Sequence, residues 1–206
     1  MDSSKISEQA RRLDLDLEGL AVDQIGGWLD LLRTWNKKLD LTAAKKEPEL
    51  LDVMLSDAFV LAKHLPQGAR VVDVGSGAGA PGLPLGIVRR DLKVTLVEPL
   101  IKRVSFLRTT LSAIGRTDIE VKRARVEDLE PHGFDVAISR ATFSPEDWLA
   151  IGTKLVGITG DVWVLLAKDD APDTSSIEPK ISLVDAFEYV LPNSGHPRRA
   201  VRYAKA

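Results

Sequence analysis

Val71-Val72-Asp73-Val74-Gly75-Ser76-Gly77-Ala78-Gly79 is the stretch on which the fold turns. Residues 71–74 read as a short buried strand, the glycines as a sharp turn, and 82–89 as the helix that leaves it. A strand, a Gly-rich turn and a helix in that order present bare backbone N–H groups to a ligand. Glycine is needed where the chain turns sharply or where a Cβ would strike that ligand. The plainer alternative is a tight strand–helix turn with no ligand.

The same alternation continues downstream. A second strand over 94–97 ends at Glu98, a third spans 119–122, a fourth 134–139 and a fifth 162–166. Between them Ile101, Val104, Leu107, Leu111 and Ile114 form one helical stripe closed by Gly115. Ser144-Pro145-Glu146-Asp147 opens another helix, with Ser at the N-cap, Pro at the first position and an acid at the third. Buried apolar strands alternating with helices predict an α/β protein with a mostly parallel, doubly covered sheet. The polar 169–179 stretch predicts a flexible loop, and the runs 181–190 and 200–203, around Pro192-Asn193-Ser194-Gly195, predict a terminal antiparallel hairpin.

Upstream, Ile25, Trp28, Leu29, Leu32, Trp35 and Leu39 lie on one helical stripe whose first turn is weakened by Gly26-Gly27. Another helix starts near Glu47, with Pro48 at its first position, and carries Leu50, Leu51, Met54, Leu55, Ala58, Leu61 and Leu65. The predicted organisation is a helical N-terminal extension over 1–66 and a ligand-binding domain over 67–206. Trp28 and Trp35 lie on the apolar stripe and read as core.

Composition bounds the function. The 206 residues hold 28 Lys+Arg and 30 Asp+Glu, a net charge of −2, so nucleic acid would be held by local patches rather than by the whole surface. There is no Cys, which excludes disulfides, thiolate metal sites and a Cys nucleophile. The three His residues, His64, His132 and His196, have no metal-ligand spacing, so no metal is expected. No apolar run approaches a membrane span and no signal-peptide core follows Met1, which predicts a cytoplasmic protein with no membrane partner.

Two ligands fit the turn. Gly75, Gly77 and Ala80 satisfy the dinucleotide pattern, with Glu98 at the end of the next strand for a ribose. S-adenosylmethionine is the alternative, and Asp73 favours it: a carboxylate two residues before the first Gly repels a pyrophosphate but holds an ammonium. Glu98 suits the ribose hydroxyls of either.

The chain also resembles a family, the bacterial small-subunit (16S) ribosomal RNA guanine-N7 methyltransferases (RsmG/GidB-like). The resemblance rests on Leu31-Leu32-Arg33-Thr34-Trp35-Asn36-Lys37-Lys38-Leu39-Asp40-Leu41-Thr42-Ala43, on Val72 to Leu85 with its Pro81-Gly82-Leu83-Pro84 continuation, on Lys102-Arg103-Val104-Ser105-Phe106-Leu107 and on Ile138-Ser139-Arg140-Ala141. It implies a seven-stranded Rossmann-like methyltransferase sheet with a helical N-terminal extension, S-adenosylmethionine as donor and a guanine of small-subunit ribosomal RNA as acceptor. It further implies that Asp73, Gly75, Ser76, Gly77, Gly79, Ala80, Glu98, Val126, Glu127 and Arg140 line the cofactor, the adenine lying by Val126-Glu127. Arg140, past the fourth strand, is the candidate catalytic residue. Asn36, Lys37, Asp57, Lys168, Arg198 and Arg199 are candidate RNA contacts, joined by Arg11-Arg12 and Lys38. The chain departs from the family pattern at Asp40, where an Asn is usual, and at 53–58, where Arg-His-Phe-x-Asp-Ser is usual and only Asp57 matches. Asp40 and Met54 are therefore expected to weaken or alter acceptor recognition without harming cofactor binding. A methyltransferase of the same fold acting on a small molecule, or a non-catalytic RNA- or cofactor-binding relative, are the competing classes. A monomer is expected. Guanine N7 carries its own lone pair, so the chemistry asks for positioning and close approach rather than a base.

Overall fold

The computed structural model describes residues 1–167, 171–175 and 177–205. Three helices come first, α1 (Ser3–Arg11), α2 (Gly19–Leu39) and α3 (Glu47–Ala62). The alternating region follows as β1 (Arg70–Val74), α4 (Gly82–Val88), β2 (Lys93–Val97), α5 (Ile101–Ala113), β3 (Glu120–Lys122), a single 3-10 turn (Val126–Asp128), β4 (Phe134–Ser139), α6 (Pro145–Leu155) and β5 (Val156–Leu166). A hairpin of β6 (Ile181–Val190) and β7 (Pro197–Lys205) ends the chain. The expected stretch 169–179 lies partly outside the described residues, and 171–175 forms neither helix nor strand.

The seven strands form one sheet in the order β3-β2-β1-β4-β5-β7-β6. β1 to β5 run parallel, and β7 is antiparallel to both β5 and β6. The winding direction reverses between β1 and β4, which opens a crevice beyond their carboxyl ends. This is the methyltransferase sheet that the sequence resemblance implies, its hairpin included.

Strand alternation splits the core into two layers. Val71 and Leu96 face a layer built by Ile6, Ile25, Trp28, Leu32, Leu55, Phe59 and Phe106, so α1, α2 and α3 share one core with the sheet. Val72 and Val97 face Trp148, Leu149 and Tyr203 beneath α6. Among the described residues no helix is long and apolar enough to cross a membrane.

Several boundaries differ from the sequence expectation. β5 begins at Val156, directly after α6, rather than at 162. Its first residues bulge against β4, whose register shifts between Phe134 and Val136. Gly157, Gly160 and Asp161 interrupt the apolar run there, and a bulge accommodates them. α2 begins at Gly19, with Gly26-Gly27 inside it. These glycines let α1 and α5 come close: a Cβ on Gly27 would lie 3.2 Å from Ile114 Cγ2. Tertiary packing there outweighs the roughly 1 kcal/mol propensity cost of each Gly. Pro48 occupies the second position of α3, behind the N-cap Lys46, where an N–H also lacks an intrahelical partner.

Candidate active site

The Gly loop is closed on itself rather than bare. The Gly75 and Ser76 N–H groups both donate to the Val97 carbonyl, at 2.9 and 3.1 Å, and Gly79 N–H donates to Ser76 O at 2.7 Å. Gly77 N–H donates to Glu98 Oε2 at 3.0 Å, and the Ser76 hydroxyl donates to Asp73 O at 2.8 Å. The expectation of a row of free N–H groups is corrected at Gly75, Ser76, Gly77 and Gly79, whose donors are taken by Val97, Glu98 and the turn itself. Glycine is required for shape. Gly75 has φ +76°, and a Cβ there would lie 2.2 Å from Thr142 Oγ1, so the turn after β1 touches the segment after β4. A Cβ on Gly82 would come within 2.7 Å of Asp73 Oδ2 and 2.6 Å of Leu96. Ala80 packs into the core beside α4.

Asp73 is buried at the end of β1, and its Oδ2 accepts from Gly82 N–H at 3.0 Å. Its Oδ1 is buried and has no partner. Burial pushes its pKa up to about 7, against the Gly82 N–H and the Arg140 charge, which pull it down. A buried carboxylate oxygen with a free lone pair is costly unless something cationic or hydrogen-bonding meets it. That oxygen fits an ammonium. The same site does not suit a pyrophosphate, since the Gly75, Ser76, Gly77 and Gly79 N–H groups are already paired and a carboxylate lies under the start of α4.

Glu98 is also buried, and its second oxygen accepts from Leu100 N–H at 2.9 Å while Arg103 stands 3.8 Å from Oε2. Oε2 thus serves the Gly loop and Oε1 the start of α5, each with a lone pair left over. Val126 and Glu127 lie in the 3-10 turn after β3, and with Leu129, Ile151 and Leu155 they border a cavity of about 250 Å³ against α6.

Across the crevice, Arg140 follows β4, and Ala141 turns the chain with φ +55°. The Arg140 guanidinium donates to the Val53 carbonyl and to Asp57 Oδ2, the latter at 3.1 Å. The other Asp57 oxygen accepts from the Tyr189 hydroxyl, whose pKa is driven far above its ordinary value by burial and by the Asp57 charge. These groups tie β4, α3 and β6 together. Asp52, Val53, Asp57, Arg140, Phe143, Leu191 and Arg198 line a cavity of about 410 Å³ beyond the ends of β4 and β5. Among the described residues no trio of His, Asp or Glu is placed to hold a metal ion.

The remaining sequence candidates divide. Asn36 spends its amide locking the loop after α2, donating to Thr42 O and accepting from Thr42 N–H, both at 2.9 Å. Lys37, with Arg33 and Lys45, rims a cavity of about 550 Å³ between the end of α2 and the loop to α3. Arg12 donates to the Pro192 carbonyl, and Arg199 is paired with Glu188 at 2.8 Å, whereas its neighbour Arg198 lines the cavity beside Arg140. Lys168 lies outside the described residues. Asp40 is the exposed C-cap of α2 with φ +45°. Met54 is 3% exposed and belongs to the core. A Met54→His change would therefore bury an imidazole instead of offering it to RNA. It is expected to destabilise the protein by about 2 kcal/mol, read as a lower Tm; a Tm at or above the parent's would mean that the position is not closed.

Sequence reasoning missed three contributors. Trp28 is core as expected, but its indole N–H also donates to Ala78 O at 3.0 Å and so braces the Gly loop from α2. Thr142 and Tyr189 carry no motif at all. The only signal for them was position, one beside a strand end and the other on the hairpin.

The model of the family described as rRNA small subunit methyltransferase G matches residues 21–201. The ribosomal RNA small subunit methyltransferase G of Haemophilus ducreyi is 31% identical over 201 residues, covering 98% of this chain and 98% of that protein. The protein of the same name from Halorhodospira halophila is 34% identical over 189 residues, covering 91% of this chain and 88% of its own. Among solved structures, coclaurine N-methyltransferase bound to N-methylheliamine and SAH is similar with a TM-score of 0.58 at 13% identity, covering 98% of this chain and 94% of that one. That likeness concerns the fold.

Proposed function

This chain belongs to the rRNA small subunit methyltransferase G family, and on that premise we propose that it methylates N7 of a guanine in small-subunit ribosomal RNA, with the cofactor at the Gly loop and the acceptor in the cavity beside Arg140. It is an S-adenosylmethionine-dependent methyltransferase. The observation that carries the N7 assignment is the state of the acceptor cavity's acids. Every oxygen of Asp52 and Asp57 already has a hydrogen-bond donor, and among the described residues no Lys or His lines the cavity, which supports an acceptor atom that has no proton to give up. Guanine N7 is a ring nitrogen with an available lone pair, and its methylation needs no base.

S-adenosylmethionine supplies a methyl group activated by its sulfonium. In this reading Asp73 Oδ1 receives the ammonium, Glu98 the ribose, and the backbone near Val126 and Glu127 the adenine. Gly75, Ser76, Gly77, Gly79 and Ala80 give the loop the shape that lets its backbone approach. Arg140, fixed by Asp57, orients the guanine, and the neighbouring carbonyl and carboxylate groups favour the positive charge that arrives on the purine. Residues 1–66 add the basic rim around Lys37, and 67–206 hold the cofactor. The chemistry requires neither a metal nor a second subunit, which supports a monomer, and its substrate implies a cytoplasmic protein.

Methyl-labelled cofactor, incubated with small subunits lacking the modification, tests the reading. Label is expected at N7 of one guanine; label only in small acceptors, or none, would overturn it. Binding is expected to be patchwise and salt-sensitive. Lys37→Ala and Lys45→Ala should each flatten the plot of log affinity against log salt by about 0.7–0.9, whereas Arg199→Ala, already neutralised by Glu188, should leave the slope unchanged. Equal slopes for all three would refute this assignment of the contacts.

A further inference from the structure

Asp52 is a buried carboxylate that no motif predicts, and it holds a turn 141 residues away in sequence. Its Oδ1 accepts from the Asn193 N–H at 3.0 Å, from Asn193 Nδ2 at 2.9 Å and from Gln9 Nε2 at 3.1 Å. Its Oδ2 accepts from the Ser194 N–H at 2.8 Å. Burial pushes its pKa up, but the Asn193, Gln9 and Ser194 donors prevail and hold the carboxyl below the usual range. Gln9 closes the ring, receiving Asn193 Nδ2 at 2.7 Å and donating to Ser56 at 2.9 Å. Arg12 adds a bond to the Pro192 carbonyl. The first helix and α3 thus clamp the turn between β6 and β7, and Leu191 and Arg198, on either side of its tip, line the same cavity as Arg140.

We propose that Asp52 is a positioning residue for the acceptor: by anchoring the 191–196 turn to α1 and α3 it holds Arg198 and Leu191 where the incoming RNA segment must fit. Such a clamp matters because the hairpin lies at the sheet edge and its turn, Asn193 to His196, is exposed. Charge-assisted bonds from turn N–H groups to one buried carboxylate supply the order that packing does not. The inference rests on the acceptor-cavity reading above.

Asp52→Asn puts an NH2 group among N–H donors, and the milder Asn193→Ala removes two bonds from an exposed side chain without touching the core. For Asn193→Ala, KM for unmodified small subunits is expected to rise about tenfold, the loss of roughly one charge-assisted bond. kcat and S-adenosylmethionine affinity should stay near the parent's, and amide hydrogen exchange at 193–195 should quicken. Asp52→Asn should show the same pattern more strongly. Unchanged exchange in both variants would overturn the clamp. Faster exchange with an unchanged KM would overturn the positioning role, and Arg198→Ala then separates the causes. If it raises KM, the cavity reading stands and only the inference about Asp52 fails; if it too leaves KM unchanged, the acceptor-cavity reading fails with it.

Discussion

Asp73→Asn is expected to lower S-adenosylmethionine affinity by at least about 100-fold, the cost of removing one partner from a buried charge pair. The substitution keeps the shape and leaves an oxygen to accept the Gly82 N–H, so the fold should survive. The pH dependence follows from the pKa of about 7, raised above the ordinary 3.8 by burial. In the free protein the folded state binds a proton that the unfolded state has lost between pH 4 and 7, so this group makes stability fall as pH rises through that window. A cationic ligand reverses the preference. Binding expels the proton, so affinity should climb as pH rises towards about 7 and level off above it. Asp73→Asn should abolish both slopes. Calorimetry from pH 5.5 to 7.5 and thermal melts over the same range check this; an unchanged affinity in the variant would remove Asp73 from the cofactor site.

Asp57→Ala is expected to cost the acceptor side as much. It leaves the partly buried Arg140 guanidinium and the Tyr189 hydroxyl without their shared carboxylate. Losing one partner of a buried pair costs about 3 kcal/mol of stability. Methylation of small subunits, as kcat/KM, should drop about 100-fold, or roughly 2.7 kcal/mol of transition-state stabilisation. S-adenosylmethionine affinity should be close to the parent's. Tyr189→Phe, which removes only the hydroxyl, should lose far less. If Asp57→Ala methylates normally, Arg140 does not need this support and its role in orienting the acceptor is wrong.

Much of the fold was legible because its signals are local. The Val-rich strands, the Gly turn after β1, the Ser144 cap and the helical stripes each lie within a dozen residues, and pattern reading recovers such features. Asp73 and Glu98 stood out in the sequence because each lies at a strand end beside the glycine turn, and both are buried there. Two of the differences in extent share an origin: a bulge breaks the apolar run of β5, and α2 runs through glycines that only contact with α1 and α5 explains.

By itself, then, the amino-acid order determined the alternating strands and helices, the glycine turn, the terminal hairpin and the two acids that flank the turn, since each shows as a pattern within a short stretch of chain. Only the tertiary structure decided which side chains were still available for function. It paired Asn36 with its own loop, Arg199 with Glu188 and the Gly75, Ser76 and Gly77 N–H groups with Val97 and Glu98, and it placed Met54 in the core. It also brought Asp52 to Asn193 and Asp57 to Tyr189 across more than a hundred residues. A polar group's partner depends on what burial leaves within about 3 Å of it, and that distance is set by packing between layers rather than by spacing along the chain.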